Sequence, residues 1–305
     1  MPRYISGYCD PQFPPPYSFK NVTIWSFPLV AHRNALTRIV DRYLNIDPSG
    51  EVRFRPIAGL VYMMVLHYGR MIPAAPPYNE WGYLTQNEFY FAIPIVRLEG
   101  GLPANAGLFT PYIFVDNPWS LVCGNTVIGF PKQMAWFLLP PDPASAYPIQ
   151  IDAPVFVRRS PDTLLTWQRL VTIEPGGLRG LLEEAGEFVE EAGEFVKEAG
   201  EFLEEEESHW PFGNIEALFG ARGRLPIESE IMDLLRNVRD NKLYSLVQLK
   251  QIRDAAVLDE SCYTAIVNLS VGLDSVPLTL PLPPAAVDLK AYASAPYGQE
   301  LGLRY

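Results

Sequence analysis

The sequence predicts an α+β chain that is mainly β, an antiparallel barrel or sandwich with helices added at its ends. Three observations predict it. Segments rich in β-branched and aromatic residues are many and short, as strands are. Few segments repeat their apolar residues at helical spacing. Strands and helices do not alternate in the rhythm of a parallel βαβ sheet. With 305 residues, 48% apolar and 19% charged, the chain can bury a sizeable core as one large domain or two small ones.

The first sixteen residues, rich in proline and aromatics, read as an extended arm. Residues 22–29 (VTIWSFPL) form a strand. Asn34 can cap a helix over 35–44, with Leu36, Ile39, Val40 and Tyr43 on one face. Pro48-Ser49-Gly50 turns the chain into strands at 51–55 and 59–67, the second apolar enough to be buried on both faces. A proline-rich loop at 70–77 leads to Tyr78-Asn79-Glu80. A strand follows at 89–98, where Pro94 implies a bulge or an edge. A short strand at 111–115 ends in the turn Asp116-Asn117-Pro118. Pro131 biases Phe130 toward extended geometry, and a helix starting near Lys132 is stopped early by Pro140. Residues 155–159 and 164–173 pair across Ser160-Pro161-Asp162. Further on come a helix at 228–238, strands at 245–256 and 262–271, an extended run at 274–284, and a short helix or tail from Val287.

Between these parts lies a seven-residue repeat, EEAGEFV, EEAGEFV, KEAGEFL, over 183–203. Ala185, Phe188 and Val189 recur as Ala192, Phe195, Val196 and as Ala199, Phe202, Leu203, on one helical face with glutamates opposite. Gly186, Gly193 and Gly200 each cost about 1 kcal/mol of helix propensity, so such a helix needs a partner surface. It reads as a helix packed on its own domain, as a helix pairing with its copy in another subunit, or as an acidic spacer.

Residues 183–207 hold twelve glutamates and one lysine, a net −11 that equals the charge of the whole chain. The remainder is balanced and has no basic stripe, which argues against nucleic acid as a partner. The acidic segment would be repelled by anionic membranes, and no run of about 18 apolar residues or signal-peptide core is present. Cys9, Cys123 and Cys262 are odd in number and far apart, as are His32, His67 and His209. That predicts no disulfide framework, no metal and a reduced, cytoplasmic setting.

The stretch 124–136, GNTVIGFPKQMAW, sets Lys132 among Ile128, Phe130, Pro131, Met134, Trp136 and, next along, Phe137. A hydrated ammonium avoids such company unless paired or neutralised. Burial disfavours its charged form, which is how a lysine becomes a nucleophilic amine near neutral pH. The alternative is a lysine that snorkels its head into water.

Here the chain resembles the acetoacetate decarboxylase superfamily. Asp116, Asn117, Gly124, Phe130, Pro131 and Lys132 match its pattern of Asp-Asn, Gly-Arg-Glu and aromatic-Pro-Lys-Lys. PYSFKN resembles its opening strand, HRNALTRIVDRYL its first helix, and MMVLH followed by Tyr78-Asn79-Glu80 the segment with its active-site glutamate. The resemblance implies a single domain over 1–305, a closed cone-like antiparallel β-barrel with peripheral helices, interrupted by an inserted acidic helix at 178–210. It also implies a homo-oligomer.

For the site, it implies that Lys132 forms a Schiff base with a ketone, with Glu80 the carboxylate beside it, and that no cofactor is required. Several positions depart from the family. Gln133 replaces the second lysine, Asn125-Thr126 replaces Arg-Glu and removes an ion pair, Val22 replaces an arginine, and Tyr62 replaces a glutamate. A more apolar pocket is therefore expected, with Tyr62, Phe130, Gln133, Met134, Trp136 and Val22 binding substrate and Tyr62 donating its hydroxyl. Its ligand would be a keto acid or a larger apolar keto compound rather than acetoacetate. The reaction classes are decarboxylation, or aldol condensation and dehydration of pyruvate with an aldehyde. The alternative is a non-catalytic binding or assembly protein on the same barrel, since fold does not fix function.

Overall fold

The computed structural model describes residues 12–13, 15–57, 59–141, 148–156, 163–175, 244–253, 257, 260–271, 284–289 and 300–303. The heptad helix and the helix expected at 228–238 lie outside the described residues, as does most of the run at 274–284.

The chain is mainly β. Strands β1 (Tyr17–Val30), β3 (Leu60–Pro73), β4 (Leu84–Glu99) and β5 (Leu102–Val115) form an antiparallel meander. Helix α1 (Arg33–Tyr43) and the short β2 (Val52–Pro56), which pairs with β4, fall between the first two. Next come a short helix α2 (Pro118–Cys123), β6 (Lys132–Met134), β7 (Trp136–Leu138), β8 (Ile149–Val155) and β9 (Thr166–Pro175). The last strands are β10 (Tyr244–Arg253), β11 (Ser261–Val271) and β12 (Pro284–Leu289). The large sheet has eight strands, with path β1-β3-β4-β5-β10-β11, and the small sheet runs β12-β9-β8-β7. Among the described residues the large sheet is an open path, and no closed barrel is found. No helix among them is long and apolar enough to cross a membrane.

Strand alternation assigns the two faces of the large sheet to different tasks. Trp25, Phe27, Val61, Met63, Val65, Phe89, Phe91 and Ile93 pack into the main core, against α1 and the inner face of the small sheet. Their neighbours Val22, Ile24, Tyr62, Met64, Leu66 and Tyr90 form a second apolar cluster on the opposite face. On β5 the parity changes. Phe91 faces Tyr112 and Ile93 faces Phe109, so an extra residue is inserted around Thr110-Pro111. This bulge lets Phe109 stay in the main core while Ile113 joins the second cluster.

Several expected elements differ. The strands at β3 and β4 are longer than their apolar runs, because polar residues such as Arg70 and Gln86 continue the ladder. Pro94 lies inside β4 facing Leu108, near the register shift between Phe91 and Ile93. His32, not Asn34, occupies the N-cap of α1, without a side-chain cap. β8 runs to Val155, while residues 157–159 of the strand expected at 155–159 lie outside the described residues, and residues 284–289 form an edge strand rather than a helix or tail. Most consequential, Lys132 starts a strand and not a short helix. Gly129 takes a left-handed φ of 93°, and β6 then pairs in parallel with β5, Lys132 facing Ile113.

Candidate active site

The second cluster surrounds a cavity of about 280 Å³. Phe13, Tyr17, Phe19, Tyr68, Met71, Tyr90, Ile113, Ile128 and Phe130 supply apolar wall, and Gln86, Glu88, Thr110, Ser120 and Lys132 its polar groups. Concave, largely apolar space with few polar groups is how small-molecule sites are built.

Lys132 is held there by local geometry. The Asp116-Asn117 turn fixes α2. Asn117 Oδ1 accepts from the backbone N–H of Trp119 and Ser120 at 3.0 and 3.2 Å, and its amide donates to the Thr85 carbonyl at 3.1 Å. Asp116 accepts from the Asn87 backbone and side-chain nitrogens, both at 2.7 Å, and Asn87 Oδ1 meets His67 Nδ1 at 2.7 Å. Burial raises the Asp116 carboxyl above its ordinary value, against those hydrogen bonds. After α2 the chain makes a π turn, Gly124–Ile128, and both Gly129 and Phe130 donate their N–H to the Gly124 carbonyl, at 2.8 and 2.9 Å. The Asn125 side-chain amide then pairs with the Lys132 backbone like a strand. Its Oδ1 accepts from the lysine N–H and its Nδ2 donates to the lysine carbonyl, each at 2.9 Å.

The lysine side chain runs across Gly124. A Cβ at that position would lie 2.5 Å from Lys132 Cδ and 2.8 Å from Cε, so only glycine leaves the passage open. At its end, Lys132 Nζ donates to Glu88 Oε2 at 2.8 Å and to Ser120 Oγ at 2.9 Å, with the Phe130 ring centroid 5.8 Å away. Side-chain exposure is 9% for Lys132 and 11% for Glu88, so this ion pair is shielded from water, where a charge pair is felt strongly. Gln86 Nε2 also donates to Glu88 Oε2, at 3.1 Å. The arrangement holds a primary amine, a carboxylate to exchange its proton, and a hydroxyl in mutual hydrogen-bond reach. That is the equipment for nucleophilic attack on a carbonyl coupled to proton transfer.

The residues expected at the site are only partly brought together. Lys132 and Phe130 line the cavity. Glu80 does not. It sits exposed on a one-turn 3-10 helix, Tyr78–Glu80, and the carboxylate beside the lysine is Glu88 of β4. Gln133 points the other way and donates to the Pro154 carbonyl at 3.0 Å. Met134 is half-buried on β6 and Trp136 is 49% exposed on β7, neither in the cavity wall. Val22 and Tyr62 are buried in the second cluster behind the wall; burial pushes the Tyr62 phenol up to about 12. The more apolar pocket expected around Lys132 thus holds a paired carboxylate, Glu88. Asn125, which removes an ion pair, instead secures the lysine backbone. A signal for Glu88 existed. Gln86, Glu88 and Tyr90 alternate with Asn87, Phe89 and Phe91 along a strand, placing a carboxylate on the face of a buried tyrosine. Ser120 left none beyond its place in the Asp-Asn turn. Among the described residues, no group of three His, Cys, Asp or Glu is placed to hold a metal.

The family model "Acetoacetate decarboxylase (ADC)" matches residues 1–140, the portion that contains Lys132, Glu88 and Ser120. A crystal structure of acetoacetate decarboxylase from Legionella pneumophila is similar in fold, with TM-score 0.56 and 13% identity, covering 100% of this chain and 84% of that one. A second acetoacetate decarboxylase structure has TM-score 0.54 and 14% identity, covering 97% of this chain and 84% of the other. No curated protein sequence matches.

Proposed function

This chain is a member of the acetoacetate decarboxylase-like superfamily, and from that premise we propose that it is a Schiff-base carbon–carbon lyase acting on a keto acid or a larger apolar keto compound. The observation that carries the proposal is the Lys132 ammonium, shielded from water within 2.8 Å of Glu88 and 2.9 Å of Ser120 in an aromatic-walled cavity.

The steps follow from those contacts. Glu88 takes a proton from the ammonium, and the free amine adds to the ketone carbon. The carbinolamine then loses water as the same proton returns to the departing oxygen, leaving an iminium on Nζ. The cationic nitrogen accepts the electron pair released when the bond to the carboxylate breaks, so carbon dioxide leaves and an enamine remains. Protonation of the enamine carbon regenerates the iminium, and water hydrolyses it to the product ketone and the free lysine. The lysine nitrogen is the electron sink, so the route calls on no added cofactor. Ser120 donates to or accepts from the oxygen passing between these states. The cavity wall excludes bulk water, which strengthens each charge interaction. A cytoplasmic homo-oligomer remains part of this proposal, as do the closed barrel, the single domain over 1–305 and its inserted acidic helix.

The test is release of carbon dioxide from a panel of β-keto acids, measured for the unmodified chain and for Lys132→Met. Release that disappears in Lys132→Met supports the proposal. Release that is undiminished by the substitution defeats it. Pyruvate with an aldehyde, yielding a new carbon–carbon bond and no carbon dioxide, would assign the aldol route to the same lysine.

A further inference from the structure

We propose that Gln86 selects the substrate, and that the preferred keto compound carries a hydrogen-bond donor, a hydroxyl or an amide N–H, close to its reactive carbonyl. This rests on the reading of Lys132 as the amine that meets the carbonyl.

Gln86 lines the cavity and is 2% exposed. Its Nε2 donates to Glu88 Oε2 at 3.1 Å. That contact sets the orientation of the amide. Glu88 faces the lysine ammonium as a carboxylate and only accepts, so the NH₂ end must point toward it; a reversed amide would set two acceptors against each other. The carbonyl Oε1 is thereby turned from Glu88, and it is the one buried side-chain polar atom without a hydrogen-bond partner among the described residues.

A buried acceptor without a donor costs about 1–3 kcal/mol, so native interiors rarely leave one. Here the residue belongs to a cavity wall, and a donor arriving with a ligand relieves the cost. Sites that hydrogen-bond a substrate group reject the analogue lacking it far better than apolar pockets distinguish by size. Gln86 is one residue removed, through Glu88, from Lys132 Nζ. The donor therefore belongs near the reacting carbon, and the aromatic wall of Phe19, Tyr68 and Tyr90 receives the apolar remainder.

Three ketones of nearly equal size test this: phenylacetone, and its two isomeric derivatives with a hydroxyl on the carbon to either side of the carbonyl. Affinities are measured by calorimetry on the full chain, on Gln86→Met, and on Lys132→Met, where no iminium forms. At least one hydroxyketone is expected to bind about tenfold more tightly than phenylacetone to the unmodified chain and to Lys132→Met, corresponding to about 1.4 kcal/mol. In Gln86→Met the ratio should fall to about one, and borohydride trapping of a ketone on Lys132 is read in the unmodified chain. Equal affinities for all three ketones in the unmodified chain overturn the proposal without any variant. A ratio that survives in folded Gln86→Met also overturns it. A ratio that behaves as expected with no trapping at Lys132 would support the role of Gln86 in binding and defeat the Schiff-base reading alone.

Discussion

Replacing Gly124 with alanine separates the path of the lysine from the stability of the turn that carries it. Gly124 has φ −57° and ψ −54°, ordinary right-handed helical values. Alanine is favoured over glycine in such a conformation by up to about 1 kcal/mol. Backbone propensity alone therefore predicts a slight gain in stability. The side chain predicts the opposite, since the new Cβ would sit 2.5, 2.8 and 3.0 Å from Lys132 Cδ, Cε and Cγ. Contact distances for carbon are about 3.5–4.0 Å, so the lysine stem must move by roughly 1 Å. Its two hydrogen bonds, at 2.8 and 2.9 Å, cannot both survive that shift. Breaking a buried pair costs about 3–5 kcal/mol, with the flexible stem recovering part by turning toward water. A 1 Å displacement of a reacting group can reduce rate by about 10²-fold. The assay is the rate of borohydride-trapped adduct formation with a methyl ketone, read by intact mass, alongside a thermal melt. Adduct formation should slow by about 10²-fold, and the melt should fall despite the better propensity. A Gly124→Ala chain with an unchanged trapping rate and a higher melting temperature would refute the argument that glycine exists there to pass the lysine.

Glu88→Gln removes the proton acceptor and keeps the shape; borohydride trapping at Lys132 and carbon dioxide release should both slow by about 10²–10⁴-fold, as measured by single-turnover kinetics. Asn125→Ala removes both hydrogen bonds to the Lys132 backbone; denaturant titration should show a loss of about 1–2 kcal/mol, and trapping should slow. Tyr62 ionises near 12 in the folded chain against 10.0 ordinarily. Its neutral form is retained on folding, so its contribution is complete below pH 10 and is lost as pH rises through 12. Tyr62→Phe should remove about 3 kcal/mol from the fall in stability over that window, seen in alkaline denaturation curves.

The two-faced strands were legible because β-structure writes its faces in alternate residues. Phe89, Phe91 and Ile93 against Tyr90 and Ala92 already separate two cores. Lys132 was legible from its apolar neighbours and the Gly124 spacing. Its surroundings were not, because adjacency along a strand is not adjacency in space. Gln133 and Trp136 lie beside Lys132 in sequence and face elsewhere. Phe13, Phe19 and Tyr68, far away in sequence, form its wall. The resemblance placed the carboxylate at Glu80, after a proline-rich loop, whereas the carboxylate beside Lys132 is Glu88, within a strand whose polar start extends a mainly apolar run. Strand pairing then sets Glu88 opposite Leu66 and Val115, and β6 pairs with the end of β5 so that its lysine crosses to the same face. Such a meeting depends on register between strands that are 44 residues apart in sequence at the two charges, which local pattern does not encode.

The proposed chemistry requires the Lys132 amine to bond covalently to a ketone. Incubation with a keto substrate, reduction by borohydride and peptide mapping measure it directly. An irreversible mass increase is expected on the peptide containing Lys132 and none on that containing Lys250, whose Nζ donates to the Val127 carbonyl at 2.6 Å. Lys132 left unmodified across a varied keto panel, or an adduct on another lysine with Lys132 free, would contradict it.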